Sequence, residues 1–333
     1  MRTTSRLVVF LAVLGVLGCT LPFGGDDPPG PTPPTNAAPT EVDRLGQQTE
    51  KTNVYIGDCY NRVRDSIERS TTRYREFIQR TGPDVQDVPR NGPPRLDPRV
   101  DTSLCRRAHT RAAAMAPSMP ELERTGEAYA TQVERLVPIL RELDPYYQRG
   151  SFRDDGLARG REIHARLMPA IRSYEEAERA FSAELDVVER RRMELRLAEL
   201  ETDPLRRGAF LVERTMFRGR QLLDQGQALI LTFDRTGAIP ASDREAYVSA
   251  VTVFEQEIER IQGYRPAQGE HLPEGFATYV RETEDMLRGQ LRFMRYVRDN
   301  PHPVLRLLQR AFQSTVDGFN HAVVAYNRVR FRG

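Results

Sequence analysis

The stretch "VLRLLQRAFQSTVDGFNHAVVAY", Val304–Tyr326, places apolar side chains at Val304, Leu308, Phe312, Val316, Phe319, Val323 and Tyr326. The steps between them are three or four residues, the spacing that lines one face of an α-helix. Arg, Gln, Asp and Asn fill the positions between. Such a helix is stable only when its stripe is buried against another element. The fold therefore depends on whether the rest of the chain supplies matching stripes.

It does. Ile56, Cys59, Val63, Ile67, Tyr74 and Ile78 form one stripe, and Tyr129, Val133, Leu136, Leu140, Leu143 and Tyr147 another. A third runs through Ile163, Leu167, Ile171, Tyr174, Phe181, Leu185, Val188 and Leu195, predicting a single helix from about Asp155 to Leu200. At 1.5 Å per residue that helix is roughly 65–70 Å long. Asp203-Pro204 ends it, because the residue before proline disfavours helical geometry. Met216, Gly219, Leu223, Gly226, Ile230 and Phe233 come next, with Gly219 and Gly226 on the apolar face itself. Glycine weakens a helix, so two on that face imply a closely approaching neighbour. Ala241-Ser242-Asp243 reads as an N-cap before Tyr247, Val251, Phe254, Ile258 and Ile261. A further stripe, Phe276, Val280, Leu287, Leu291, Met294 and Val297, closes at Asn300-Pro301. No period-2 run of useful length interrupts the series. The expected fold is all-α: an elongated antiparallel helical bundle, or two bundles sharing the long central helix.

The N-terminal residues read differently. Arg2 and Arg6 precede an apolar run from Leu7 to Leu17, then Gly18 and Cys19. A basic start, a short apolar core and small residues before a cut make a signal peptide. The run falls short of the roughly 20 apolar residues that span a bilayer. Gly18-Cys19, with Val16 three positions before the cysteine, resembles the bacterial lipobox, whose cysteine is diacylated and becomes the new N-terminus. An ordinary signal peptide with an incidental cysteine is the competing reading. The next stretch, "LPFGGDDPPGPTPPTNAAPT", has no apolar period and reads as a semi-rigid tether. The expected organisation is thus a lipoprotein signal over residues 1–18, a lipid-anchored tether over 19–44, and a helical domain over 45–331 with a Pro-rich loop at 81–100. The expected location is the cell envelope, with membrane lipid the partner of acylated Cys19. Thr20 stands where an Asp would retain an enteric lipoprotein at the inner membrane, which favours the outer membrane.

Cys59 and Cys105 flank the Pro-rich loop. They can remain two separate thiols, or they can pair, a choice that an oxidising compartment tips toward a disulfide. Formal net charge is +2 in 333 residues, with acidic and basic side chains interleaved. That balance gives no global field for nucleic acid. Lys51 is the only lysine.

Chemistry is hard to find. The five histidines show no HExxH, ExxH or CxxCH spacing. Glycine-rich phosphate loops and GxSxG are also absent from the sequence. Glu175, Glu176 and Glu178 lie near Arg172 and Arg179 at spacings that suit surface ion pairs. The reading is therefore not an enzyme, with no metal and no cofactor. The least bland stretch is "LDPYYQRGSFRDDGLARGREIHARL", Leu143 to Leu167. Pro145 closes a helix there, and Asp154 or Asp155 caps the next. Tyr146, Tyr147, Phe152, Asp154 and Asp155 form either a helix–helix corner or a polar-aromatic binding surface.

That central run, together with "KTNVYIGDCYNRV" (Asn53, Tyr55, Ile56, Asn61) and "GFNHAVVAYNRV" (Asn320, Tyr326, Asn327), resembles the YiiG-like family of bacterial lipoproteins over about residues 45 to 330. The Pro-rich loop and its flanking cysteines depart from it. The resemblance implies an all-helical lipoprotein domain of unknown function and brings no catalytic residues. The Asn and Tyr residues near both ends are expected to hydrogen-bond the first helix to the last. The functional expectation is a helical binding or scaffolding module with an envelope protein partner. A small-ligand or ion-binding accessory with a site inside the bundle is the alternative.

Overall fold

The computed structural model describes residues 41–82 and 100–330. The signal, lipobox and most of the tether and Pro-rich loop lie outside the described residues. The described chain is helical: α1 (Glu41–Tyr55), a π-helical turn (Ile56–Tyr60), α2 (Asn61–Thr81), α3 (Ser103–Ala113), α4 (Pro120–Gln148), α5 (Ala158–Thr202), α6 (Arg207–Thr236), α7 (Ala241–Gln262), α8 (Phe276–Asp299) and α9 (Leu305–Tyr326). No strand forms among these residues; one isolated antiparallel bridge pairs Glu274 with Arg330. The helices segregate into two compact units, and the boundary falls inside α5, between Arg192 and Met193.

The first unit is cored by rings. Tyr55, Tyr60, Tyr74, Phe77, Tyr129 and Phe181 are all buried, and Tyr129 stacks on Phe181 at 5.2 Å between centroids. The first stripe runs through the π-helical turn without losing its face: Ile56 and Cys59 on the turn and Val63, Ile67 and Tyr74 after it are buried. Phe77, three residues past Tyr74, takes the next core position, and the expected Ile78, four past it, is only half-buried.

In the second unit, Leu308, Phe312, Val316, Phe319, Val323 and Tyr326 are buried as the opening stretch requires, while Val304 precedes α9 and is exposed. On α8 Phe276, Met294 and Val297 are buried as expected, but Tyr279, Met286 and Phe293 are buried in place of Val280, Leu287 and Leu291, which are half-buried. The reason is the contact with α9. A Cβ on Gly289 would lie 2.4 Å from the Ser314 carbonyl oxygen, and one on Gly318 2.7 Å from that of Asp285. The two backbones touch there, and that contact selects which of two overlapping apolar faces turns inward. Gly219 and Gly226 on α6 receive side chains instead: Met286 Sδ would be 2.6 Å from a Cβ at Gly219, and Phe312 Cε2 2.7 Å from one at Gly226.

Two expected boundaries shift. α4 continues through Pro145 to Gln148, closed by Arg149 N–H donating to the Pro145 carbonyl at 3.0 Å. The buried rings of Tyr146 and Tyr147 offset the hydrogen bond that Pro145, lacking an N–H, cannot donate. α7 begins at Ala241 with Pro240 at the cap position and no capping side chain; Asp243 lies in its first turn.

Candidate functional site

The corner between α4 and α5 is built from its backbone upward. Gly150 (φ 76°) and Gly156 (φ 54°) take left-handed conformations, and so does Leu157 (φ 68°), a side-chain-bearing residue for which this costs energy. A short 3-10 turn, Ser151–Arg153, lies between. Asp155 holds the strained segment: its Oδ1 accepts from Leu157 N–H at 3.0 Å and from the Tyr146 hydroxyl at 2.9 Å, and its Oδ2 accepts from Arg159 N–H at 3.1 Å. Asp155 is thus the capping residue, and Asp154 points to solvent. Gly160 leaves room for Tyr146, whose Cε1 would stand 3.0 Å from a Cβ there. Burial, then the bond to Asp155, pushes the Tyr146 hydroxyl up to about 12. Tyr146 and Tyr147 are buried. Of the aromatic set only half-buried Phe152, with the Arg153 guanidinium 5.5 Å from its ring centre, meets solvent. The corner closes the end of the core and presents a small face of Phe152, Arg153 and Asp154.

A second constellation surrounds the π-helical turn. The turn aims Cys59 at α3, where Cys59 and Cys105 are joined with Cα atoms 4.5 Å apart. One residue on, the Tyr60 hydroxyl donates to Glu178 Oε1 of α5 at 2.5 Å, and Arg64 Nε lies 3.2 Å from the same oxygen. Glu175 pairs with Arg75. Glu175 and Glu178 therefore tie α5 to α2. Burial and then Glu178 push the Tyr60 hydroxyl far above its ordinary range. Burial does the same to Tyr55, Tyr74 and Tyr129. These hydroxyls bind by hydrogen bonding and are shifted away from proton transfer at neutral pH.

Lys51 is held inside the first unit. Its side chain is fully buried, and its ammonium donates to the Met115 and Pro117 carbonyls at 2.9 Å each and to Glu123 Oε1. All three donors of the ammonium are used. Close by, the Tyr55 hydroxyl lies 3.4 Å from His109 Nδ1, and His109 Nε2 lies 2.9 Å from Glu127 Oε2. The motif tyrosines of the first and last helices thus have separate partners: Tyr55 meets His109 on α3, and Tyr326 donates to Glu213 on α6 at 2.7 Å.

Among the described residues, one grouping has the donor types that hold a metal: Glu282, Asp285 and His321. No sequence spacing announces it, because the histidine comes from a different helix. No helix among the described residues is long and apolar enough to cross a membrane.

The family described as "Protein of unknown function (DUF3829)" matches residues 47–327. The chain is also similar to "Uncharacterized protein YiiG" of Escherichia coli (strain K12), 25% identical over 232 residues, which are 62% of this chain and 64% of that protein. The chain therefore spans just under two thirds of the length of that relative. No solved structure matches. The match covers the π-helical turn, the α4–α5 corner and the glycine contact of α8 with α9, and the chain belongs to the DUF3829 family.

Proposed function

We propose that this protein is a lipid-anchored component of the cell envelope whose helical body serves as a binding module. The carrying observation is the run Arg2, Arg6, Leu7–Leu17, Gly18-Cys19, followed by a Pro-rich stretch with no apolar period. A lipid on Cys19 gives membrane attachment without a spanning helix, since each buried methylene contributes about 0.8 kcal/mol. The Cys59–Cys105 disulfide supports a compartment beyond the cytosol, where such bonds persist.

The binding half of the proposal rests on a cleft of about 190 Å³ between α6 and α7, floored by Leu222, Ala250, Val253 and Phe254 and rimmed by Arg218 and Gln225. Pockets for drug-sized ligands run to roughly 300–1,000 Å³. The smaller cleft suits an inserted apolar side chain of a partner protein better than a whole small molecule.

Fractionation of cells expressing the parent and Cys19→Ser chains tests the anchor. The parent sediments with membranes and partitions into detergent, and the variant is released to the soluble fraction. Equal sedimentation of both would end the lipoprotein reading. A photo-crosslinking residue at Val253 tests the cleft, and a discrete light-dependent adduct is expected. Amine-directed crosslinkers are unsuited, because the chain's single lysine is buried.

A further inference from the structure

We infer that α8 and α9 together form a site for a divalent transition-metal cation of the zinc class, held by Glu282, Asp285 and His321. One carboxylate oxygen from each acid and one imidazole nitrogen lie within 4.8 Å of one another. Zinc bonds of about 2.0–2.2 Å require donors roughly 3–3.5 Å apart. The side chains close that gap by rotamer adjustment, since Glu282 and Asp285 are half-buried and His321 is exposed.

The grouping arises from the helix contact. Gly289 faces Ser314, and Gly318 faces Asp285, at backbone-contact distances. The Thr315 hydroxyl donates to the Gly289 carbonyl at 3.2 Å, which holds that register. Continuing one antiparallel turn sets His321 opposite Glu282. Glu282 and Asp285, three residues apart, share a helix face. The glycines thus bring an imidazole on α9 against two carboxylates on α8.

The donor set selects the metal. Calcium and magnesium take oxygen ligands. An imidazole with two carboxylates suits zinc and its borderline neighbours, leaving the remaining positions to water. The surrounding charges do not block entry. Arg288 contacts Asp285, and Arg281 Nε is 3.9 Å from Glu282 Oε1, but these guanidiniums are 67 % and 70 % exposed and can swing into water. Asp317, one turn before His321, accepts from Gln313 Nε2 at 2.9 Å and adds negative potential nearby. The ion would clip α8 to α9 and present open positions at the surface.

The test uses the full-length chain in detergent, stripped with chelator and titrated with Zn²⁺ against a chromophoric competitor. One ion per chain is expected. His321→Ala and Asp285→Asn should each weaken binding at least ten-fold with unchanged helical circular dichroism, and His302→Ala should bind as the parent does. Millimolar Mg²⁺ should leave the titration unmoved. Absence of binding, binding that survives His321→Ala, or equal competition by Mg²⁺ would each overturn the assignment.

Discussion

Replacing Lys51 by Met removes one buried charge and keeps most of the side-chain volume. Three acceptors lose their donor: the Met115 and Pro117 carbonyls and Glu123 Oε1. Breaking a buried ion pair costs about 3–5 kcal/mol, because the remaining partner is left buried without compensation. Glu123 retains 23 % side-chain exposure and can recover some water, which places the cost near the lower end, about 3 kcal/mol. For a unit of this size that lowers the melting temperature by about 6–12 °C. Removing both partners with Lys51→Met/Glu123→Gln should return part of the loss. The pair also has a pH signature. The Lys51 bond first, then Met119 N–H, holds the Glu123 carboxyl below its ordinary value. A carboxylate depressed in the folded state adds stability that is full above its unfolded pKa, about 4.3, and is lost as pH falls through the folded value. Lys51→Met should therefore flatten the acid limb of the stability curve below about pH 4.5. Because Lys51 is the chain's only lysine, side-chain modification by an amine-reactive ester, read by mass spectrometry, reports opening of this unit alone. Native Lys51 should be protected, and urea should expose it earlier in a Glu123→Gln background. Native labelling at the rate of a free lysine, or a Lys51→Met stability within 0.5 kcal/mol of the parent, a scale typical of surface substitutions, would refute the reasoning.

Reducing the disulfide, whose cysteines are 46 residues apart, should cost about 4 kcal/mol by loop entropy, read as a shift in denaturation midpoint with and without reductant. Gly289→Ala should destabilise by about 1–3 kcal/mol, because its Cβ meets the Ser314 carbonyl and not a flexible side chain. Gly46→Ala, with nothing within 4 Å, should stabilise α1 by about 0.5–1 kcal/mol in the same thermal melt. Burial raises the hydroxyls of Tyr74, Tyr129, Tyr174, Tyr247 and Tyr279. These groups favour the folded state only while neutral, so stability should fall as pH rises above about 10, the unfolded value. Absorbance near 295 nm should show their ionisation arriving together with unfolding rather than before it.

Much of the helical order was readable because helices declare themselves locally. Asp203-Pro204 ended α5 where the chain bends, and the stripe of α9 was buried almost as read. Pro145 reads as a helix end because it cannot donate a backbone hydrogen bond, but the burial of Tyr146 and Tyr147 carries α4 one turn past it. Phe77 and Ile78 stand three and four residues past Tyr74, both steps that one helix face allows, and the core takes Phe77. On α8 two apolar faces overlap, and only the contact of Gly289 with α9 chooses between them. Gly219 and Gly226 stand out in the sequence because they interrupt an apolar stripe; Gly289, between Arg288 and Gln290, and Gly318, after Asp317, lie off the stripes. The partners of Lys51, and the meeting of His321 with Glu282, come from segments far apart in sequence. No spacing rule along one helix reaches them.

The central proposal is a lipid on Cys19. Intact-mass and N-terminal peptide analysis of the protein extracted from membranes reads it directly. The expected chain begins at Cys19 and is heavier than its sequence by the mass of a diacylglycerol group, with or without a further acyl chain. A mature chain that starts elsewhere, or an unmodified Cys19, would contradict it.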